Sequence, residues 1–191
     1  MQDMTEIRWH ARAGQGAVTA ANLLAETAVL SGNYIQAMPE YGPERTGAPL
    51  RAYTRISPAP IEVNNNITNP NIVVVLDETL LPIVNVLDGL AADGTVVINS
   101  KLEVDEARAA LNAPQGVKVA VVDASGIALD TLRRDLPNTP IVGALAQVTG
   151  CASVDKLKEN LLLTFSQRFS QAVVDANLVS VERAVSEVKV G

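Results

Sequence analysis

A doubly wound α/β fold, with a mostly parallel sheet, helices on both faces and Rossmann-like architecture, is predicted by three features of the sequence. The runs IVVVL (72–76), TVVI (95–98) and VKVAVV (117–122) are almost uninterrupted Val and Ile. Strands of that composition are covered on both faces, which is the habit of parallel sheets. A stretch with helical character follows each run, near residues 79–90, 103–112 and 124–136, and such alternation implies right-handed crossovers. The third feature is an early strand that enters a loop with two glycines and leaves it as a helix.

In chain order, Glu6–His10 is the first strand and Ala11–Gly16 the loop. The helix runs from Ala17 to Leu30, with Thr19, Asn22 and Glu26 in one narrow polar stripe. Apart from Thr27 the remainder is apolar, more than one sheet face requires, so a second partner such as another subunit is expected to cover it. Asn33–Met38 reads as a second strand. The stretch PEYGPERTGAP, Pro39 to Pro49, holds two glycines and three prolines in eleven residues and forbids regular structure. Leu50–Ile56 resumes as a strand, ended by Pro58 and Pro60, and five asparagines between Asn64 and Asn71 mark a turn region. Beyond the three apolar runs, two or three more helices follow, with breaks at Pro137–Pro140 and Gly150 and the last over Ser166–Val188. No repeat, low-complexity tract or linker interrupts this order, so residues 1–191 are expected to form one domain.

Composition narrows the function. The chain of 191 residues is 48% hydrophobic and 19% charged, which excludes disorder, and its 3% aromatic content leaves Ala, Val, Leu and Ile to build the core. A net charge of −6 without a basic patch argues against nucleic acid. One cysteine, Cys151, and one histidine, His10, cannot alone ligate an iron–sulfur cluster, build a zinc site or close an internal disulfide. No apolar run approaches the roughly 20 residues that span a bilayer, and MQDMTEIRW lacks the basic and apolar regions of a secretory signal. A cytoplasmic protein without membrane contact is expected.

In open α/β sheets, ligands bind beyond the carboxyl ends of the strands. Those ends carry His10, Asp77, Asn99 with Ser100, and Asp123. Asp77, Ser100 and Asp123 each precede a helix and suit capping, and Ser100 with Glu103 matches the S-x-x-E box. The first loop, His10-Ala11-Arg12-Ala13-Gly14-Gln15-Gly16, suits an anion: glycines admit close approach, the helix N-terminus favours negative charge, and Arg12 offers a guanidinium fork. As a dinucleotide fingerprint it is incomplete. Thr19 replaces the third glycine, and the acid expected about 20 residues on can only be Glu40, which Pro39 assigns to a loop. No Walker motif follows, and the two glycines also suit a turn that merely packs the helix on the sheet. The second loop concentrates Glu44, Arg45 and Thr46 between glycines and prolines, either as a functional display or as an ordinary surface loop with a Glu44–Arg45 pair. No nucleophile motif accompanies His10, so no catalytic residue and no metal ligand is assigned. His10 is expected to bond its own loop, Cys151 to fill space, and Trp9 to face the core or a subunit contact.

Together these stretches carry a resemblance. IRWHARAGQGAVTAANLLAETA followed by YGPERTGAP resembles the gamma subunits of the pyruvate:ferredoxin oxidoreductase (pyruvate synthase) family, and NPNIVVVLDETLL, VVDASGIA and NTPIVGALAQVTG continue the likeness in order and spacing from about Glu6 to Val188. The resemblance implies a multisubunit enzyme that decarboxylates pyruvate on thiamine diphosphate, passes electrons through 4Fe–4S iron–sulfur clusters to ferredoxin and transfers acetyl to coenzyme A. It further implies alpha, beta and delta partner subunits that hold those cofactors, while the gamma chain holds none. Under it, Arg12, Gly14, Gln15 and Gly16, or Glu44, Arg45 and Thr46, would face the active-site cleft and receive coenzyme A or steer the alpha subunit. The family's first loop reads His-Gly-Arg-Gly-Gly-Gln-Gly; here Ala11 and Ala13 replace two glycines, and positive φ at either would be strained.

Three alternatives stay open: a related oxoisovalerate or 2-oxoglutarate enzyme, an adaptor whose loops make subunit contacts only, and a free-standing nucleotide-binding α/β protein. Expressed alone, the chain is expected to self-associate through its apolar first helix as a homodimer.

Overall fold

In the computed structural model, which describes residues 4–40 and 47–191, one seven-stranded sheet organises the chain. The first strand, β1 (Thr5–Arg12), leads into α1 (Ala17–Leu30) and returns through β2 (Tyr34–Pro39) and β3 (Pro49–Ser57). Then come β4 (Ile72–Val75), β5 (Thr95–Asn99), α2 (Val104–Leu111), β6 (Lys118–Val122) and α3 (Ala124–Leu132). Three helices, α4 (Asn138–Thr149), α5 (Val154–Phe165) and α6 (Gln171–Glu187), precede a two-residue strand, β7 (Lys189–Val190).

The sheet order is β2-β3-β1-β4-β5-β6-β7. Strands β1, β4, β5 and β6 are mutually parallel, with Ile7 beside Ile72, Ile72 beside Thr95, and Thr95 beside Lys118. Strand β3 runs antiparallel to both β1 and β2, and β7 antiparallel to β6. Successive side chains of a strand alternate faces, so the apolar runs supply two cores. Val74, Val97 and Ala120 join a core with Leu24 of α1, Ile127 of α3, Leu145 of α4, Leu157 of α5 and Val181 of α6. Val73, Val75, Val96, Ile98, Val119 and Val121 point the other way, onto Val86 and onto Ala107 and Leu111 of α2.

Three expectations need correction. Helix α1 keeps its predicted bounds, yet its second apolar side is covered by this chain's own α4 and α5, not by another subunit. Asn160 of α5 donates to the Leu23 carbonyl at 3.3 Å and the Thr27 hydroxyl at 3.2 Å, fixing that contact. The burial argument for a homodimer through α1 therefore lapses. Second, residues 79–90 form a short 3₁₀ turn (Glu78–Leu80) and irregular turns instead of a helix. Pro82 and Gly89 bracket this segment; Pro disfavours helical backbone before it, and Gly89 at φ +69° packs against the Thr68 carbonyl, where no Cβ fits. Third, the last helical stretch begins at Gln171, after a break at 166–170, and β7 was too short to show a period.

No helix among the described residues is long and apolar enough to cross a membrane.

Candidate functional site

Strand β1 hands the chain to α1 and the β2–β3 side of the sheet, whereas β4 hands it to β5 on the opposite side. A crevice opens between two such strands at their carboxyl ends. Here it is lined by the first loop and the start of the 3₁₀ turn.

Gly14 at φ 105° and Gly16 at φ 81° make the turn out of β1, and Gly16 serves as the N-cap of α1. Ala11 lies within β1, and neither it nor Ala13 takes positive φ, so the two alanines that replace family glycines bring no strain. The Arg12 guanidinium turns inward. Its Nε donates to the Thr79 hydroxyl at 2.9 Å, Nη1 to the Gly47 carbonyl at 3.1 Å and Nη2 to the Thr79 carbonyl at 3.3 Å. Nε also lies 3.3 Å from Asp77 Oδ2. Gln15 closes the loop on itself, accepting from the Arg12 N–H at 2.8 Å while its amide donates to Asp77 at 2.7 Å. Asp77 further accepts from the Thr79 hydroxyl at 2.6 Å and the Thr79 N–H at 2.9 Å. Partial burial opposes ionisation of Asp77, but the bonds from Thr79 and Gln15, with the Arg12 charge, outweigh it and hold the carboxyl below its usual range.

The first loop pairs with the residues that lead into β3. The Ala13 N–H donates to the Ala48 carbonyl at 2.9 Å, and the Gly47 N–H to the Ala13 carbonyl at 3.0 Å. Glu44, Arg45 and Thr46 lie outside the described residues. Glu40 corrects one expectation: β2 runs through Pro39 and the Glu40 N–H bonds to the Arg51 carbonyl at 3.1 Å, so this acid stands at a strand end after all. Its carboxylate is committed to Arg51 at 2.9 Å and to the Tyr53 hydroxyl at 3.0 Å. Because β3 intervenes between β2 and β1, Glu40 also sits one strand further from the glycine loop than a dinucleotide site requires.

Further along, Asn99 links β5 to α3, donating to the Leu76 carbonyl at 2.8 Å and accepting from the Ser125 N–H at 3.0 Å. Asp123 caps α3 through the Gly126 N–H at 2.8 Å, as expected. Ser100 does not begin a capping box. That box lies three residues later, with Glu103 as N-cap and the Glu106 carboxylate accepting the Glu103 N–H at 3.0 Å, while Ser100 donates to Glu78.

His10 also departs from expectation. Strand β1 continues to Arg12, so His10 lies inside the strand, 3% exposed, and its Nε2 accepts from Arg8 Nε at 3.1 Å. Burial, with the charges of Arg8 and Arg51, lowers its pKa to about 3, so the imidazole is neutral. Arg8 in turn donates to the backbone carbonyls of Val86, at 3.1 Å, and Asp88. Beside it Arg55, also buried, binds Glu6 at 2.7 Å, Gln36 at 2.8 Å and Asn65 at 3.1 Å. Sequence reading missed this network, although the alternation of Arg8, His10 and Arg12 with Ile7, Trp9 and Ala11 signals a strand with one polar face. Trp9 faces the core, its indole N–H donating to Thr54 at 3.0 Å, and Cys151 packs against that core.

The fold and the crevice define a class: a Rossmann-like α/β protein that presents an internally hydrogen-bonded glycine loop at the carboxyl edge of its sheet. Among the described residues, no group of three or more His, Cys, Asp or Glu could hold a metal ion. A family model described as pyruvate ferredoxin/flavodoxin oxidoreductase matches residues 6–187. Pyruvate synthase subunit PorC of Thermotoga maritima is 45% identical over 184 residues, 96% of this chain and 94% of that protein. The pyruvate/ketoisovalerate oxidoreductases common subunit gamma of Pyrococcus abyssi is 47% identical over 163 residues, 85% of this chain and 88% of that one. The crystal structure of pyruvate oxidoreductase subunit PORC from Thermotoga maritima matches at TM-score 0.87 and 41% identity, covering 100% of this chain and 99% of that one. The chain belongs to the pyruvate ferredoxin/flavodoxin oxidoreductase family.

Proposed function

We propose that this chain is a single gamma-type domain, residues 1–191, serving as the gamma subunit of a pyruvate:ferredoxin oxidoreductase. That enzyme converts pyruvate, coenzyme A and oxidised ferredoxin to acetyl-CoA, carbon dioxide and reduced ferredoxin. The carrying observation is near full-length similarity, at 45% identity, to a pyruvate synthase subunit. A chain with one cysteine and one histidine fits a subunit without a redox centre of its own. Thiamine diphosphate and the iron–sulfur clusters then belong to alpha, beta and delta partners, and the work is done in the cytoplasm. Because the Pyrococcus abyssi relative is named as common to pyruvate and ketoisovalerate enzymes, service to a second 2-oxoacid is a supported variant of the same role.

At the site level, Arg12–Gly16, together with Glu44–Thr46, face the assembled active-site cleft and shape coenzyme A entry. Arg12 acts there as a positioning residue: its donors are used on Thr79 and Gly47 and its charge on Asp77, so it holds the first loop to Gly47 and to the 3₁₀ turn. In the assembled enzyme, Arg12→Ala is expected to raise KM for coenzyme A about tenfold, with thiamine-dependent decarboxylation unchanged. An unchanged KM removes the coenzyme A role and leaves subunit contact. Affinity purification from the source tests the assignment itself: thiamine-binding and ferredoxin-like chains must come with this one.

A further inference from the structure

On the helix-covered side of the molecule, α1, the α3–α4 turn, the end of α5 and the start of α6 enclose a groove of about 840 Å³. That volume falls in the range of small-molecule sites. Arg12, Gln15, Asp77 and Thr79 do not line it; it adjoins the crevice where Asn138, one of its lining residues, packs on Gly16, and shares none of those four side chains. We propose that this groove binds a small organic anion: an apolar body carrying a phosphate or carboxylate group.

The apolar part is provided by Leu23, Phe165, Phe169 and Val173. Phe165 and Phe169 meet edge to face, their centroids 5.3 Å apart, and yet Phe169 stays 50% exposed and Val173 39%. Such side chains along a concave wall are the sort of surface that a ligand covers.

Three features select an anion. Arg134 and Arg168 both line the groove and make no ion pair or side-chain hydrogen bond among the described residues, whereas Arg12, Arg51 and Arg55 are each paired with a carboxylate. In a chain of net charge −6, two unpaired guanidiniums against a single lining acid, Glu26, make a local positive site. Thr139 is 2% exposed, lines the groove and makes no side-chain hydrogen bond among the described residues. Among the described residues no fully enclosed side-chain oxygen or nitrogen lacks a partner, so the Thr139 hydroxyl keeps some access, on a residue that lines the groove. Thr139 also stands in the first turn of the twelve-residue α4, whose N-cap, Pro137, offers no side-chain acceptor and whose first turn carries no acid. Its backbone N–H therefore has no partner within the helix and adds a second donor beside the hydroxyl.

The test uses 1-naphthyl phosphate as probe and neutral 1-naphthol as control, with the full-length chain and then the assembled oxidoreductase. Saturable one-to-one binding of the phosphate is expected in both, followed by the probe's fluorescence. Combining Arg134→Ala with Arg168→Ala should weaken the phosphate about tenfold or more while changing naphthol less than about twofold. Thr139→Val should weaken it about threefold. Ala172→Trp, which fills the groove from α6, should abolish binding of both compounds. Absence of saturable binding, or equal binding by the double variant, overturns the proposal. Binding by the separated chain that disappears on assembly makes the groove a subunit contact and overturns it too. These outcomes are independent of the subunit assignment, since a free-standing protein would bind the probe equally.

Discussion

Strands β4, β5 and β6 send Val and Ile to both faces of the sheet, whereas β1 and β3 send apolar residues to one face only. On their other face lie Glu6, Arg8, His10, Tyr53 and Arg55, several of them as buried as the valines. What covers each region accounts for the contrast. Over the parallel strands that face meets apolar side chains, including Ala107 and Leu111 of α2. Over β1 and β3 lie irregular segments with backbone carbonyls that no ladder satisfies, and a buried carbonyl needs a donor. Arg8 supplies one to Val86 and Asp88, and Arg55 supplies one to Val63. Buried arginines here join irregular chain to a sheet, and their presence in an acidic protein is no sign of a ligand.

If so, the polar face should tolerate truncation far worse than the apolar one. Arg55→Ala leaves Glu6, Gln36 and Asn65 without their partner and should cost about 3–5 kcal/mol in urea unfolding; a loss under about 1 kcal/mol would mean the network is dispensable. His10 makes the contrast depend on pH. Its folded pKa, about 3, lies below the unfolded 6.5, so the unfolded state binds the extra proton between those values. Stability is therefore fully present above pH ~6.5 and falls on acidification, by on the order of 2 kcal/mol near pH 4.5, before most carboxylates titrate. His10→Gln should flatten that slope in melts taken from pH 7 to 4.5. On the apolar side, Ile98→Val should cost only about 1 kcal/mol, with no pH dependence across the same window. The smallest expected effect is at Ala13, where a return to glycine should destabilise by about 0.5–1 kcal/mol, since its φ is already negative. A stabilising Ala13→Gly would reveal strain that the backbone does not show.

Much of the fold was legible along the chain because the signals were local. Val and Ile runs marked the parallel strands, α1 fell on its predicted bounds, and Asp123 capped the helix it precedes. In residues 79–90 the apolar pattern misled, because Pro82 and the tight packing of Gly89 on Thr68 outweigh helical spacing. Of the site, the glycine positions were readable, since only Gly14 and Gly16 must take positive φ in that loop. The use of Arg12 was not: Thr79 and Gly47, which hold its guanidinium, lie 67 and 35 residues away.

By itself, then, the amino-acid order determined the fold class, the family resemblance and the inability of one cysteine and one histidine to build a redox centre, all properties of composition and short spacing. Tertiary structure alone decided that α1 is buried by its own chain, that β3 separates Glu40 from the glycine loop, and that Ala13 of that loop pairs with Gly47 and Ala48. Each of these depends on which distant segments become neighbours, and hydrogen bonds act over about 3 Å of space whatever the separation along the chain.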